Sequence, residues 1–326
     1  MHTWEGNPDL KPKPDYGTLG PGSDLQSRGP QDPQARRVRV IAVLVAAALM
    51  GLLFVGTSSA RAAWNQIAEL LSLQGKPQPA SPAILSEHEI EGLDRQSAQK
   101  QAELLLERSI NHYDGANDRI ATRVDGWRGN LKLTSQLNSQ ITTGMNSNDL
   151  RVRAAAIEVD LAALDQAKTP ENVARLAQEA ESGSQQQRVW ALWTLGLLGN
   201  RGVEPQRVSE ILISQLRDSN PEIRHWAVEG LAYLGTEDTI APLLQTFHDD
   251  PSPMVRERAA CSLAQSGMLN EQQRRSVVPK LLDYAEDASL DAQTHTWVYH
   301  ALRDITGQNL PSDPAAWRNW YSTTQN

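Results

Sequence analysis

Residues Ile223–Gly235 read IRHWAVEGLAYLG, and two neighbouring stretches repeat their pattern. Arg188, Arg224 and Arg256 are each followed by an Ala at three residues (Ala191, Ala227, Ala259), a Leu at seven (Leu195, Leu231, Leu263) and a Gly at eleven (Gly199, Gly235, Gly267). Offsets of three and seven put the Ala and Leu on one stripe of an α-helix. The Gly falls where such a helix is expected to end in a left-handed cap. After each Gly a second amphipathic run begins: Val208, Ile211, Leu212; then Ile240, Leu243, Leu244; then Val278, Leu281, Leu282. Neither helix of a pair can bury its stripe alone. The pairs are therefore expected to stack side by side into an all-α solenoid with one continuous core.

The stretches VWALWTLGLLG, IRHWAVEGLAYLG and VRERAACSLAQSG resemble HEAT repeats in the short form called PBS-lyase-like HEAT. Pro221-Glu222-Ile223-Arg224 and Pro253-Met254-Val255-Arg256 are similar to the P-x-V-R start of that family's first helix, and Pro242 and Pro279 to the early proline of its second. Asp149–Leu164 resembles a degenerate earlier unit, with Val152-Arg153 and Ala156 in place but no Gly after them, and Asp291–Gly307 a degenerate last one. Together they extend the expected solenoid over residues 147–307.

In such arrays the second helices usually line the concave side, so the resemblance implies that their polar positions form the partner-binding face. Those positions are Arg207, Glu210, Ser214, Thr246, Asp249, Lys280 and Tyr284. Mixed charges with one aromatic suit a polypeptide partner, and an ordinary solvated helix back is the plain alternative. Trp190 and Trp226 occupy one position in successive units and are read as filling the space between repeats.

The flanks carry other signals. Residues 1–37 hold Pro at 8, 12, 14, 21, 30 and 33 and little apolar surface, which reads as a disordered tail. Val40–Gly56 is 17 residues without a charge, preceded by Arg36, Arg37 and Arg39. It is long enough to span a bilayer near the lower limit, so a transmembrane helix is expected over 38–60. The positive-inside rule puts the tail in the cytoplasm and the rest of the chain outside the inner (plasma) membrane. Ser58-Ser59-Ala60 would also suit a signal peptidase, which leaves secretion after cleavage near Ala60 as the alternative, but the long hydrophilic lead favours an uncleaved anchor.

Residues 61–85 are expected to be a juxtamembrane segment and Pro-rich linker. The capping box Ser86-Glu87-His88-Glu89 opens a long helix to about Tyr113, in which Leu93, Leu104, Leu105 and Ile110 are inward candidates. Residues 86–146 read as a helical cap for the solenoid, and 308–326, with Trp317 and Trp320 on one face, as a cap for its far end.

Residues 86–326 hold 23 basic against 33 acidic side chains, a net of −10 in a chain of net −8. That balance argues against nucleic acid or an anionic bilayer as a partner. Cys261, the single cysteine, excludes an intrachain disulfide and reads as a small buried apolar residue. Asp291 and His295 are at i, i+4 and read as a surface pair, and His248-Asp249-Asp250 as a loop between units.

No H-E-x-x-H or C-x-x-C motif occurs. Metal-dependent hydroxylases of HEAT type hold iron with several His-Glu pairs, whereas His88-Glu89 stands alone here and outside the repeats. The expectation is a membrane-tethered scaffold or adaptor with a protein partner, no cofactor, no metal and no catalysis. The alternative is an enzyme or enzyme accessory of the PBS-lyase-like group using the concave groove.

Overall fold

The computed structural model describes residues 83–324, in which helices joined by turns are the regular structure, together with an isolated bridge between Ile84 and Asp114. The expected tail, membrane span and nearly all of the linker lie outside those residues. Among the described residues no helix is long and apolar enough to cross a membrane.

The chain enters through α1 Glu87–Leu93, α2 Ala98–Ile110, α3 Ala116–Trp127, α4 Ser135–Met145 and α5 Leu150–Ala163. The capping box forms at Ser86, with Glu89 answering it, but one long helix does not follow. After Gly92 the helix stops at Leu93 and restarts behind a second cap, Ser97, whose hydroxyl accepts from the Lys100 amide. A weak helix former beside a strong cap residue makes that break local in origin. Leu93, Leu105 and Leu106 are buried, whereas Leu104 and Ile110 are only half-buried. Helix α2 packs on α3, α4 and α5, and α3 and α4 pack on α5 as well. Accordingly α5 is apolar nearly all round, with Val152, Ala156, Ile157 and Val159 at most 1 % exposed.

The repeats follow as α6 Pro170–Ser182, α7 Gln185–Asn200, α8 Pro205–Gln215, α9 Pro221–Leu234, α10 Ile240–Asp249, α11 Pro253–Ala264, the short α12 Glu271–Ser276, α13 Val278–Glu286, α14 Ala292–Thr306 and α15 Pro314–Thr324. First helices α7, α9, α11 and α14 form a row in which each touches the next. Second helices α6, α8, α10 and α13 each pack on the first helix that follows. All six Ala and Leu of the repeat stripe are fully buried. Helix α6 is missing from the sequence reading, although Thr169 caps it, Pro170 starts it and Val173, Leu176 and Ala180 supply its stripe.

The glycines divide by role. Gly235 (φ 67°) caps α9, and Gly267 (φ 74°) turns the chain after α11. Gly199 does not cap α7. It lies inside the helix, where an added Cβ would come within 2.7 Å of Leu234 Cδ1, so it serves close packing. At Gly196, within a helix, a Cβ would lie 2.4 Å from the carbonyl oxygen of Gly230 and 2.7 Å from its Cα. The backbones of α7 and α9 therefore touch, and Gly196→Ala can be accommodated only by parting the two helices. It is expected to cost about 1–3 kcal/mol, read as a lower urea midpoint. An unchanged midpoint would show that the row has slack.

Each repeat arginine ties two inter-unit turns together. Arg188 donates Nε to the Ala180 carbonyl (2.7 Å) and Nη2 to Asp218 (2.5 Å). Arg224 reaches the Asp218 carbonyl (2.8 Å) and grips Asp250 at 2.7 and 2.9 Å. Arg256 reaches the Asp250 carbonyl (2.8 Å) and Asp291 (2.6 Å). Asp291 thus serves Arg256 and caps α14 through the Thr294 amide, which corrects its reading as the partner of His295. At the far end Trp317 is wholly buried and donates Nε1 to the Pro311 carbonyl at 2.9 Å, and α15 packs on α13.

Arg153 of α5 departs from this ladder. It donates Nε to the Ser147 carbonyl (2.5 Å), Nη2 to Gln265 O (2.9 Å) and Nη1 to Gly267 O, so it reaches the turn after α11. The helix that resembles a first unit in sequence is therefore tied directly to the fourth.

Candidate protein-interaction face

First helices touch along their row, but the second helices α8, α10 and α13 leave space between them. Two grooves result, one on each side of α10. The groove between α8 and α10, ≈ 490 Å³, is lined by Ile213, Leu216 and Arg217 on one wall and Ala241, Pro242, Gln245, Thr246 and Asp249 on the other. The groove between α10 and α13, ≈ 720 Å³, is lined by Ala241, Leu244, Gln245, His248 and Asp249 opposite Lys280, Asp283, Tyr284 and Asp287. Ala241, Gln245 and Asp249 border both, because positions i, i+4 and i+8 follow the crest of α10.

Four of the seven sequence candidates line these grooves: Thr246, Asp249, Lys280 and Tyr284. Arg207, Glu210 and Ser214 are exposed on α8 but stand outside both grooves, whose α8 wall is Ile213, Leu216 and Arg217. Arg207 pairs with Glu204 at 2.9 Å, and the Ser214 hydroxyl returns to the Ile211 carbonyl at 2.7 Å. Thr246 and Tyr284 correct the expectation of an exposed polar row, since they are only 7 % and 5 % exposed. The Tyr284 hydroxyl donates to the Leu244 carbonyl (3.1 Å), and its ring meets Phe247 edge-on at 5.9 Å. Lys280 Nζ lies over that ring, 5.2 Å from its centroid. Burial, reinforced by the nearby Asp249, Asp283 and Asp287, pushes the Tyr284 phenol up to about 12, so it stays neutral.

The polar centre of the second groove is His248, which lies in the last turn of α10 and not in a loop. Its Nδ1 is 2.5 Å from Asp249 Oδ1 and its Nε2 is 2.9 Å from Asp287 Oδ2. Burial opposes the charged ring, but the carboxylates of Asp287 and Asp249 outweigh it and hold its pKa above the ordinary histidine value. Asp287 is held well below the usual carboxylate range, by the Ser289 hydroxyl first and His248 next. Sequence reading passes over this contact because its partners are 39 residues apart and meet only when α10 and α13 pack as neighbours.

Away from the grooves, Trp190 and Trp226 are half-buried, and Trp226 meets Trp193 edge to face at 6.0 Å. Cys261 is exposed, which corrects its reading as a buried apolar residue: α11 turns Val255, Ala259, Ala260 and Leu263 inward and Cys261 outward. Among the described residues no group of three or more His, Cys, Asp or Glu is placed to hold a metal ion.

Helix pairs in register, an inter-turn arginine ladder and grooves between second helices define an α-helical repeat solenoid. The family model described as HEAT repeats matches residues 173–264 and 209–303, so this part of the chain carries HEAT repeats. A crystal structure of an engineered protein aligns with 67 % of this chain and 95 % of its own, at 15 % identity and a TM-score of 0.31. No curated protein matches the chain.

Proposed function

We propose that the chain is a membrane-tethered scaffold or adaptor that holds a protein partner against the second-helix face outside the cytoplasm. The supporting observation is the pair of adjoining grooves that share the crest Ala241–Gln245–Asp249. Apolar walls of Ile213, Leu216 and Pro242 lie beside exposed amide, carboxylate and ammonium groups, a mixture suited to a polypeptide. The tether rests on sequence alone, through Val40–Gly56 and the three arginines before it.

A photo-crosslinking amino acid at Gln245 is expected to give discrete protein adducts in cells. The same group at Thr122, exposed on α3, is expected to give none of them. Identical adducts from both positions would overturn the groove assignment. The Ala241→Arg/Gln245→Arg pair is expected to reduce retention of the cross-linked partner at least tenfold while leaving thermal stability unchanged. Arg207→Ala, outside the grooves, is expected to retain it. The tether is tested separately by protease added to intact cells, permeabilised cells and lysed inner membranes, with a C-terminal tag followed. Digestion before the inner membrane is lysed, with the protein still membrane-bound, is the expected result, and protection until lysis would invert the topology.

A further inference from the structure

Both ring nitrogens of His248 face carboxylate oxygens, at 2.5 and 2.9 Å, and an ionised carboxylate only accepts hydrogen bonds. A neutral imidazole carries one N–H and can satisfy one of the two, leaving its other nitrogen lone pair against a carboxylate. The two-sided contact therefore requires the imidazolium. One carboxylate belongs to α10 itself and the other to the turn after α13, so the contact crosses the groove between neighbouring second helices.

We propose that His248, Asp249 and Asp287 form a proton-operated latch that sets both the closure and the charge of this groove. With the proton on, the ring ties α10 to the turn after α13 and offsets one acid charge. With the proton off, one tie is lost and the groove is one charge more negative, better suited to a lysine or arginine of a bound polypeptide. This deepens the reading of that face as the interaction site and rests on it for its consequence, though not for its chemistry.

The other groups around the ring leave His248 as the charge that changes near neutrality. On α13, Lys280 pairs with Asp283 at 3.9 Å, and Arg318 of α15 also takes Asp283, at 2.8 Å. The Tyr284 ring stands 4.8 Å from His248, with its hydroxyl committed to Leu244. A folded-state pKa raised above the unfolded value of about 6.5 gives the latch a definite sign. Its stability contribution is full below the unfolded pKa and is lost as pH rises through the folded one.

The test uses the full chain carrying ¹³C-labelled histidine, titrated by NMR, with His248→Gln identifying the resonance. The expected result is a ring that titrates above about 6.5 and moves downward in Asp287→Asn, which keeps the shape and removes the charge. The melting temperature of the wild type should exceed that of Asp287→Asn by more at pH 5.5 than at pH 9.5, where the Ser289 contacts of Asp287 remain and the His248 contribution is gone. A ring that titrates at or below about 6.5, or one that Asp287→Asn leaves in place, would overturn the latch. Because the titration needs no partner, its failure is separate from failure of the cross-linking. If the latch holds but the groove takes no polypeptide, the titration succeeds while Gln245 gives no specific adduct.

Discussion

Asp250→Ala is expected to lower the unfolding free energy by about 3–5 kcal/mol, the range for leaving one member of a buried ion pair without its partner. The Arg224 and Asp250 side chains are 9 % and 4 % exposed, so water cannot replace what is removed. The pair is bidentate, at 2.7 and 2.9 Å, and the carboxylate also caps the next turn through the Ser252 amide at 2.8 Å. The Asp250 main-chain carbonyl would still hold Arg256, so the ladder breaks at one rung only. Glu271→Ala is the control: its partner Arg275 is 58 % exposed and Glu271 itself 78 %, and such pairs contribute about 0–1 kcal/mol. Urea unfolding of both variants decides the matter. Asp250→Asn, which retains an acceptor for Ser252, should fall between them. A loss from Asp250→Ala no larger than from Glu271→Ala would mean that the rung is ornamental and that apolar packing alone sets the repeat spacing.

The repeat was legible because Ala and Leu at offsets three and seven report helix geometry, which is local. Gly199 was misread for the complementary reason. An offset of eleven cannot distinguish a cap from a packing contact, and Leu234 of the next helix decides it. The ladder acids sit at helix starts: Asp218 lies two residues before the N-cap Asn220, Asp250 two before the N-cap Ser252, and Asp291 is itself an N-cap. The interaction face was less legible. Helical spacing separates the polar back of α8 from its core stripe, but which edge of that back meets a groove depends on where α10 lies. Spacing alone points to Arg207, Glu210 and Ser214, whereas the groove wall is Ile213, Leu216 and Arg217. Thr246 and Tyr284 are polar residues buried by neighbouring helices, a fact that no single-helix pattern contains.

The second large effect concerns a residue whose partners lie more than a hundred positions away. Arg153→Ala is expected to destabilise the protein by roughly 3–4 kcal/mol, since charge-assisted hydrogen bonds contribute about 1.5–3 kcal/mol each and do not add fully. Arg153 is 6 % exposed and spends its three nitrogens on the carbonyls of Ser147, Gln265 and Gly267. Arg274 grips the same turn through the carbonyls of Leu269, Ala264 and Ser266. Two guanidiniums share one turn, and they oppose each other. Burial lowers the pKa of Arg153, while burial followed by the charge of Arg153 pushes Arg274 down to about 10. Removing Arg153 relieves that repulsion, but relief across a pair that stays protonated at neutral pH is smaller than the loss of three charge-assisted hydrogen bonds, of which the one to Gly267 is buried.

Arg153→Lys should rescue little, because an ammonium cannot fork toward three acceptors in different directions. The local readout is amide exchange at Met268, whose N–H donates to the Ala232 carbonyl at 2.8 Å and holds the turn against α9. Exchange there should accelerate in Arg153→Ala more than at Val228, in the middle of α9. A loss below about 1 kcal/mol with unchanged exchange at Met268 would mean that apolar burial of α5 suffices. In an open solenoid each unit touches only its neighbours, and folding can proceed unit by unit. A side chain joining α5 to the turn after α11 removes that freedom, so the first helices and the fourth unit are expected to unfold in one transition, and in two when Arg153 is gone.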